Sequence, residues 1–190
     1  MPMLDESDEL PPQPRRVLVA GTSGSGKTTL AVRIASVLSV PHVEIDALFH
    51  GPGWVPRPSF AEDVAGLIAQ PGWVTEWQYD HVRAQLAGAA DTLVWLDLPR
   101  PRVMWQVTRR TLRRRLRREP LWNGNLEPPL WTIFTHDGHI VRWAWRTHGS
   151  TAARIADLLR ERPELPVVRL TGHASADRWL TGALAQAACQ

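Results

Sequence analysis

A short stretch rich in glycine and hydroxyl side chains constrains this chain more than any other feature. Residues 21–29 read GTSGSGKTT and match the pattern G-x-x-x-x-G-K-S/T in full. The apolar residues 16–20 before it predict a strand, and the apolar period that begins at Leu30 predicts a helix. A glycine-rich turn between a strand and a helix lets backbone N–H groups surround phosphate oxygens at the positive end of the helix dipole. The sequence therefore predicts a P-loop that binds a nucleoside triphosphate.

The side chains of the P-loop predict separate roles. Lys27 is expected to reach the β- and γ-phosphates, and Thr28 to place its hydroxyl on a magnesium ion that bridges them. Lys27 is the only lysine among 22 lysines and arginines, so the one compact ammonium falls where phosphate binding needs it. A glycine-rich turn without a ligand is the alternative. The residues predicted to bind the cofactors ATP and Mg²⁺ are Gly21, Thr22, Ser23, Gly24, Ser25, Gly26, Lys27, Thr28 and Thr29.

The alternation of strand and helix patterns predicts the fold class. Helical segments separate five short apolar runs, at residues 16–20, 42–45, 73–76, 92–98 and 167–170. Such alternation predicts an α/β, three-layer P-loop NTPase fold with a five-stranded parallel sheet and helices on both faces. With 190 residues, of which 44% are apolar, the chain is long enough for one such domain, expected over residues 15–190.

Composition predicts a tail and limits the cellular compartment. Residues 1–14 combine acidic side chains and prolines with few large apolar groups, which predicts a flexible tail. The single cysteine, Cys189, excludes an internal disulfide. No uninterrupted apolar run approaches the roughly 20 residues that a membrane helix needs. We therefore expect a cytoplasmic protein with no membrane association.

Two acidic residues follow or end predicted strands. Asp46 comes after the apolar run at 42–45, and Glu76 ends the run at 73–76. In an open parallel sheet the carboxyl ends of the strands border the crevice that binds ligands. We expect Asp46 to orient a phosphate acceptor or take its proton, and Glu76 to hold a magnesium-bound water or contact the acceptor. A helix cap or surface ion pair is the alternative for each, and Asp97 ranks third.

Six segments carry a resemblance to a known family. They are GTSGSGKTTLA at 21–31, PHVEIDALFHGPGW at 41–54, TEWQYD at 75–80, VWLDLPR at 94–100, RRTLRRRLRRE at 109–119 and WNGN at 122–125. On these residues the chain resembles the adenylate-kinase-like P-loop kinases, in particular bacterial kinases related to a DNA-topology-modulation protein. In such relatives the third strand usually ends in an acid, a glycine, an asparagine and a tyrosine. This chain has EWQY there, at residues 76–79.

Seven arginines crowd residues 109–118. Helical spacing projects several of their guanidinium groups from adjoining faces, where like charges repel unless they meet polyphosphate. The resemblance implies that this region is an arginine-rich lid, about residues 109–146, that closes over the phosphates. Arg142 and Arg146 either close the lid from its far side or lie on the surface. A solvated basic helix face is the alternative for the whole cluster. Together with the acids and the lysine, the predicted catalytic residues are Lys27, Asp46, Glu76, Arg110, Arg114 and Arg118.

Ten tryptophans keep a second class of function open. Indole rings stack on bases and arginines attract nucleic-acid phosphates, although no DNA- or RNA-binding signature accompanies them here. Packing explains four of them, which are expected in the core: Trp73, Trp95, Trp143 and Trp179. Trp54 and Trp122 lie in glycine- or asparagine-rich segments, where an indole either stacks on an acceptor ring or packs.

Three hypotheses follow from these patterns. The favoured one is an ATP-dependent phosphotransferase acting on a small-molecule acceptor, with a nucleotide or nucleoside among the candidates. The second is a nucleotide-dependent regulatory or nucleic-acid-binding protein, in which triphosphate orders the basic lid. The third is a P-loop protein that binds nucleotide without transferring phosphate, and the altered motif at 76–79 is its motivation.

Overall fold

The computed structural model describes residues 3–117, 121–125 and 140–190. Of the predicted catalytic residues, Arg118 lies outside these ranges, as does much of the predicted lid. The strands are β1 Arg16–Gly21, β2 Trp73–Glu76, β3 Thr92–Leu96 and β4 Val167–Leu170. The helices are α1 Lys27–Leu38, α2 Ile45–Phe49, α3 Phe60–Ile68, α4 Asp80–Ala89, α5 Arg100–Arg117, α6 Ile140–Thr147, α7 Ser150–Glu161, α8 His173–Thr181 and α9 Ala183–Ala188. Short 3-10 turns lie at Pro52–Trp54 and Trp122–Gly124.

The sheet is parallel and covered on both faces. Its strand order is β2-β1-β3-β4, so β1, which leads into the P-loop, is a central strand. Side chains alternate along β1: Val17 and Val19 join one core, and Leu18 and Ala20 join the other. Helices α1, α8 and α9 cover the first face, and α2, α3, α4 and α7 cover the second. The predicted three-layer α/β fold is confirmed.

The predicted fifth strand is wrong. At residues 42–45 the described chain forms one parallel bridge, between His42 and Val74, and Ile45 already begins α2. Val43 N–H donates to the Val74 carbonyl over 3.0 Å, so the pairing ends almost where it begins. The Ile45 N–H then donates to the Glu76 carboxylate, which holds the first turn of α2 at the end of β2. A side-chain contact from a distant residue therefore overrides the strand propensity of this run.

The predicted flexible tail is also wrong for the described residues before β1. Leu4 pairs with Val168 at the outer edge of β4, with its N–H 2.8 Å from the Val167 carbonyl. Leu4 and Leu10 are both buried in the core that contains α1 and α8. Two leucines among acids and prolines are thus enough to anchor this segment and to cover the exposed edge of β4.

Helix α5 is the longest described helix, at 18 residues, and it leads away from the sheet. Val103 and Val107 anchor its first half in the core, whereas Leu116 near its end is 74% exposed. None of the helices within the described ranges is both long and apolar enough to cross a bilayer. The second half of α5 is strongly basic and contains Arg109, Arg110, Arg113, Arg114, Arg115 and Arg117.

Candidate active site

One large cleft lies at the carboxyl end of the sheet and encloses about 1660 Å³. The P-loop forms its floor, α2 and α4 form one wall, and α5, α6 and α7 contribute the others. Parallel strands deliver their last residues to one edge of a sheet, and this is why segments far apart in sequence meet here. Predicted site residues among its lining are Lys27, Thr28, Asp46, Arg110 and Arg114.

The P-loop has the backbone of a phosphate cradle. Gly24 and Gly26 adopt φ values of 85° and 102°, in the left-handed region that side chains disfavour. Gly24 also packs against α5, since a Cβ atom there would lie 2.6 Å from the Val107 Cβ. The chain turns at Gly26 directly into α1, whose first residue is Lys27. Free N–H groups at this helix start therefore face the cleft, as phosphate binding requires.

Lys27 is buried near three other predicted catalytic residues, Asp46, Glu76 and Arg110. Its side chain is only 7% exposed, and its Nζ donates to the Thr22 carbonyl at 3.3 Å. Burial lowers the pKa of Lys27 and the nearby Arg110 adds to the decrease, whereas Asp46 and Glu76 oppose it. The structure thus brings Lys27, Asp46, Glu76 and Arg110 into one electrostatic unit.

Glu76 lies beneath the cleft floor and is 3% exposed. Its Oε2 accepts the Ile45 N–H at 3.2 Å, and its Oε1 lies 3.4 Å from His42 Nε2. Burial alone raises the pKa of Glu76, but the nearby His42, the Thr28 hydroxyl and the hydrogen bond from the Ile45 N–H outweigh burial and hold the pKa below its ordinary value. The carboxylate is therefore ionised at neutral pH and sits beside the hydroxyl of Thr28.

Asp46 is held by two residues of the altered EWQY motif. Tyr79 donates its hydroxyl to Asp46 Oδ1 at 2.6 Å, and Gln78 Nε2 donates to the same oxygen at 3.1 Å. Burial raises the pKa of Tyr79, and the negative charge of Asp46 raises it further, so the tyrosine stays a donor. Sequence reasoning assigned these two residues no role. Their signal was available, because polar groups that directly follow a strand lie at the cleft edge.

His50 extends this network on the side away from Gln78. Its Nε2 lies 3.2 Å from the Tyr79 hydroxyl. Burial lowers the pKa of His50, partly offset by the charge of Asp46, so the ring is neutral at pH 7. The carboxylate, the tyrosine and the histidine form a chain of polar groups along one wall of the cleft.

Trp54 and Trp122 meet around His50. The Trp122 ring stacks on His50 at a centroid distance of 5.9 Å, and Trp54 meets the same ring edge-on at 5.1 Å. Both indoles line the cleft and are half-buried. The sequence left stacking on a ligand and packing open for these residues, and the structure shows them packed on His50 with faces still open to the cleft.

Asparagines fasten the segment at residues 121–125 to the loop after α2. Asn125 is buried, and its Nδ2 donates to the Gly51 carbonyl at 2.9 Å while its Oδ1 accepts the Trp54 N–H at 3.2 Å. The Asn123 amide donates to the His50 carbonyl. These bonds hold a segment that is distant in sequence against the loop after α2, so that Leu121 and Trp122 line the cleft.

Four arginines of α5 line the cleft. Arg110, Arg113 and Arg114 line the cleft, which places two of the three predicted lid arginines at the site. Arg109 also lines it, with its guanidinium 5.1 Å from the centre of the Trp105 ring. The lining contains neither Arg142 nor Arg146, although both are described.

The core prediction holds for three tryptophans and fails for one. Trp73 and Trp179 are fully buried, and Trp95 is 8% exposed. Trp143 is instead 50% exposed and lines the cleft, because the described part of α6 packs against α5 along Ala144. Trp143 was expected in the core because it lies on an apolar helix face, but the packing of α6 leaves that position exposed.

Asp97, the third acidic candidate, is engaged elsewhere. Its Oδ2 accepts hydrogen bonds from Arg169 Nε at 2.9 Å and Nη2 at 2.6 Å. These two hydrogen bonds to one carboxylate oxygen join the end of β3 to β4. Within residues 3–117, 121–125 and 140–190, no cluster of three histidine, cysteine or acidic side chains could hold a metal ion by itself.

Comparisons with known proteins find weak structural likeness alone. No protein-family profile and no curated protein matches the chain. A gluconokinase from Sinorhizobium meliloti 1021 is similar at 18% identity, with 93% of this chain and 95% of that chain covered and a TM-score of 0.49. A sugar kinase from Janibacter sp. HTCC2649 matches at 18% identity, with 88% and 91% covered and a TM-score of 0.48.

A shikimate kinase from Acinetobacter baumannii, in complex with shikimate, is similar at 14% identity and a TM-score of 0.47. The alignment covers 88% of this chain and 90% of that chain. Likeness at this level assigns neither a family nor an activity to the chain. What the protein does therefore has to be argued from its own cleft.

Proposed function

We propose that this protein is an ATP-dependent phosphotransferase that acts on a small-molecule acceptor. The observation that carries the proposal is that a P-loop and an oriented carboxylate, Asp46, line one cleft. The P-loop lysine is coupled electrostatically to that carboxylate. Phosphoryl transfer needs a bound triphosphate, an oriented acceptor hydroxyl and cations near the transferring group. Residues suited to each of these requirements lie in this cleft.

The triphosphate half of the site consists of the P-loop and the start of α1. Backbone N–H groups of residues 22–27 surround the phosphates, and Lys27 donates to their terminal oxygens. A magnesium ion fits beside Thr28, because its hydroxyl adjoins the ionised Glu76 carboxylate. That ion, when bound, neutralises phosphate charge. Glu76 is too deeply buried for the cleft lining, so it acts through Thr28 or a bound water.

The acceptor half of the site is built around Asp46. Tyr79 and Gln78 both donate to Oδ1, which fixes the carboxylate and directs Oδ2 to another partner. An acceptor hydroxyl at Oδ2 would be oriented for attack and would lose its proton to the carboxylate as the new bond forms. Arg110 and Arg114 approach from α5 and stabilise charge on the transferring phosphoryl group.

Phosphate transfer from labelled ATP tests the proposal. Purified protein is incubated with Mg²⁺, ATP labelled at the γ-phosphate and a panel of nucleosides, nucleoside monophosphates, sugars and sugar acids. We expect a labelled product with wild type, and a loss of about a hundredfold or more for Lys27→Ala, which removes a charged contact to the phosphates.

Two controls sharpen this assay. Arg160→Gln alters an exposed guanidinium on α7 that pairs with Asp157, and it is expected to leave transfer unchanged. Circular dichroism establishes that Lys27→Ala is folded. Tight ATP binding without any labelled product would contradict the proposal and favour a nucleotide-dependent binding protein, with or without a nucleic-acid partner.

A further inference from the structure

Two arginines outside the proposed triphosphate site share the cleft. Arg83 lies on α4 and Arg154 on α7, and both line the same cavity as the P-loop. Their side chains are 17% and 38% exposed. The proposed transfer step does not involve either arginine, so a separate reason is needed for their position in the cleft.

The charge on this pair is incompletely balanced. Asp80 contacts Arg83 and lies 4.0 Å from an Arg154 nitrogen, but its side chain is 78% exposed. Burial lowers the pKa of Arg83, and repulsion from Arg154 lowers it further. The buried Nε of Arg83 also has no hydrogen-bond partner among the described residues. Two guanidinium groups held together against one exposed carboxylate favour the binding of an anion.

Neighbouring side chains hold both guanidinium groups in place. The Arg83 guanidinium lies 5.5 Å from the centre of the Trp77 ring, and the indole Nε1 donates to the Arg83 carbonyl at 3.1 Å. Arg154 Nη1 donates to the Ser150 hydroxyl at 2.9 Å. A planar group that is fixed before a ligand arrives loses less conformational entropy on binding it.

The pair belongs to the acceptor half of the cleft. Val82 on α4 and Ile155 on α7 pack in the same core as Ile45, the first residue of the helix that carries Asp46. The α1 helix that begins with Lys27 packs on the opposite face of the sheet. Arg83 also follows Tyr79 by one helical turn, and Tyr79 is the residue that holds Asp46.

We propose that Arg83 and Arg154 bind an anionic group of the phosphate acceptor, so that the acceptor is a carboxylate- or phosphate-bearing alcohol. Guanidinium groups match the paired oxygens of either anion. The anion anchors one end of the acceptor while Asp46 receives its hydroxyl at the other. This inference rests on the proposed function, because it assumes that an acceptor occupies the cleft beside Asp46.

Matched acceptor pairs test the inference. Each pair couples an anion with its uncharged counterpart: a sugar acid with the sugar, and a nucleoside monophosphate with the nucleoside. We expect the protein to use the anionic member. Arg83→Gln and Arg154→Gln should each raise its KM by roughly tenfold to a hundredfold, the loss expected for a charged hydrogen bond, and leave the KM for ATP unchanged. Arg160→Gln is the matched control on α7.

Direct binding separates this inference from the proposed function. Calorimetric titration of the sugar acid and of the nucleoside monophosphate from the matched pairs, with a non-hydrolysable ATP analogue present, measures binding to the subsite without any transfer. Binding that both variants weaken would support the subsite even if wild type formed no product, and the phosphotransferase proposal alone would then fail. Arg154→Gln keeps the test valid if the more buried Arg83→Gln misfolds. Equal use of charged and uncharged members, or unchanged acceptor affinity in the variants, would overturn the subsite.

Discussion

The surroundings of Asp46 explain how the altered motif at residues 76–79 serves the cleft. Gln78 supplies an amide donor to Asp46 over 3.1 Å. Trp77 lines the cleft, and its ring lies 5.5 Å from the Arg83 guanidinium. Tyr79 adopts a positive φ of 62°, which turns its hydroxyl toward Asp46. Residues 76–79 thus place two polar donors at the Asp46 carboxylate, which argues against the hypothesis of an inactive P-loop protein.

At the residue scale, the shifted pKa of Glu76 predicts a pH dependence of stability. Its pKa is lower in the folded protein than the ordinary 4.5, so its contribution is fully present above pH 4.5 and is lost as the pH falls through the folded value. We expect Glu76→Gln to lower the free energy of unfolding at pH 7 by about 1–3 kcal/mol, as for a buried charged hydrogen bond. Urea denaturation at pH 7, 5 and 3.5 measures the effect.

The difference between Glu76→Gln and wild type should shrink at pH 3.5, because below the ordinary pKa of 4.5 the unfolded chain binds a proton at Glu76 more readily than the folded chain does. Glu161→Gln, at an exposed position on α7, is the matched control and should show no comparable trend. A difference that stays constant from pH 7 to 3.5 would contradict an ionised, hydrogen-bonded Glu76. It would also remove the support for Glu76 as a partner of the magnesium site.

At the element scale, local patterns were predicted well and contacts between distant segments were not. The strand before the P-loop and the helix after it could be read from the sequence, because the glycines and the apolar period lie within one short window. The run at 42–45 could not, because Glu76 starts α2 at Ile45 across a large sequence separation. The burial of Leu4 likewise could not be predicted from the sequence, because it depends on pairing with Val168 at the edge of β4.

The contact between the P-loop and α5 leads to a second test at this scale. Gly24→Ala places a Cβ 2.6 Å from the Val107 Cβ and forces a side chain into φ 85°. We expect a loss of about 1–3 kcal/mol in the free energy of unfolding together with a weakened affinity for ATP, since overpacking and positive φ both cost energy. Thermal denaturation and ATP titration measure the two effects.

Gly66→Ala is the matched control for this substitution. Gly66 lies within α3, a Cβ there meets nothing within 4 Å, and alanine in a helix interior is favoured over glycine by about 1 kcal/mol. Adding Val107→Ala to Gly24→Ala should not restore the stability, because alanine keeps the Cβ atom of residue 107 that makes the 2.6 Å contact and the backbone strain at residue 24 also remains. Unchanged stability and ATP affinity in Gly24→Ala would show that α5 does not support the P-loop.

At the scale of the whole molecule, the cleft joins the two faces of the sheet. Lys27 comes from the side of α1, whereas Asp46 comes from the opposite side with α2. The sequence singled out both residues, Lys27 from the P-loop pattern and Asp46 from a predicted strand at 42–45 that the structure replaces with a single bridge. It could not predict that residues 121–125 fasten onto the loop after α2, or that Arg83 and Arg154 line the same cleft, since these contacts depend on how separate helices pack.

The central claim is that Asp46 directs an acceptor toward a triphosphate on the P-loop. The most direct measurement is the rate of phosphate transfer in a single turnover, with saturating MgATP and the acceptor found in the labelled-ATP panel. Asp46→Asn should lower this rate by roughly 10²–10⁴-fold, the usual contribution of a general base. It should leave ATP affinity within about threefold, because uniform binding to the P-loop is unaffected.

Asp63→Asn is the control. Asp63 lies on α3, pairs with Arg57 in the preceding loop and does not line the cleft. We expect wild-type transfer for Asp63→Asn and slow transfer for a folded, ATP-binding Asp46→Asn. Transfer by Asp46→Asn at the wild-type rate would contradict the central claim, and would place the acceptor elsewhere in the cleft.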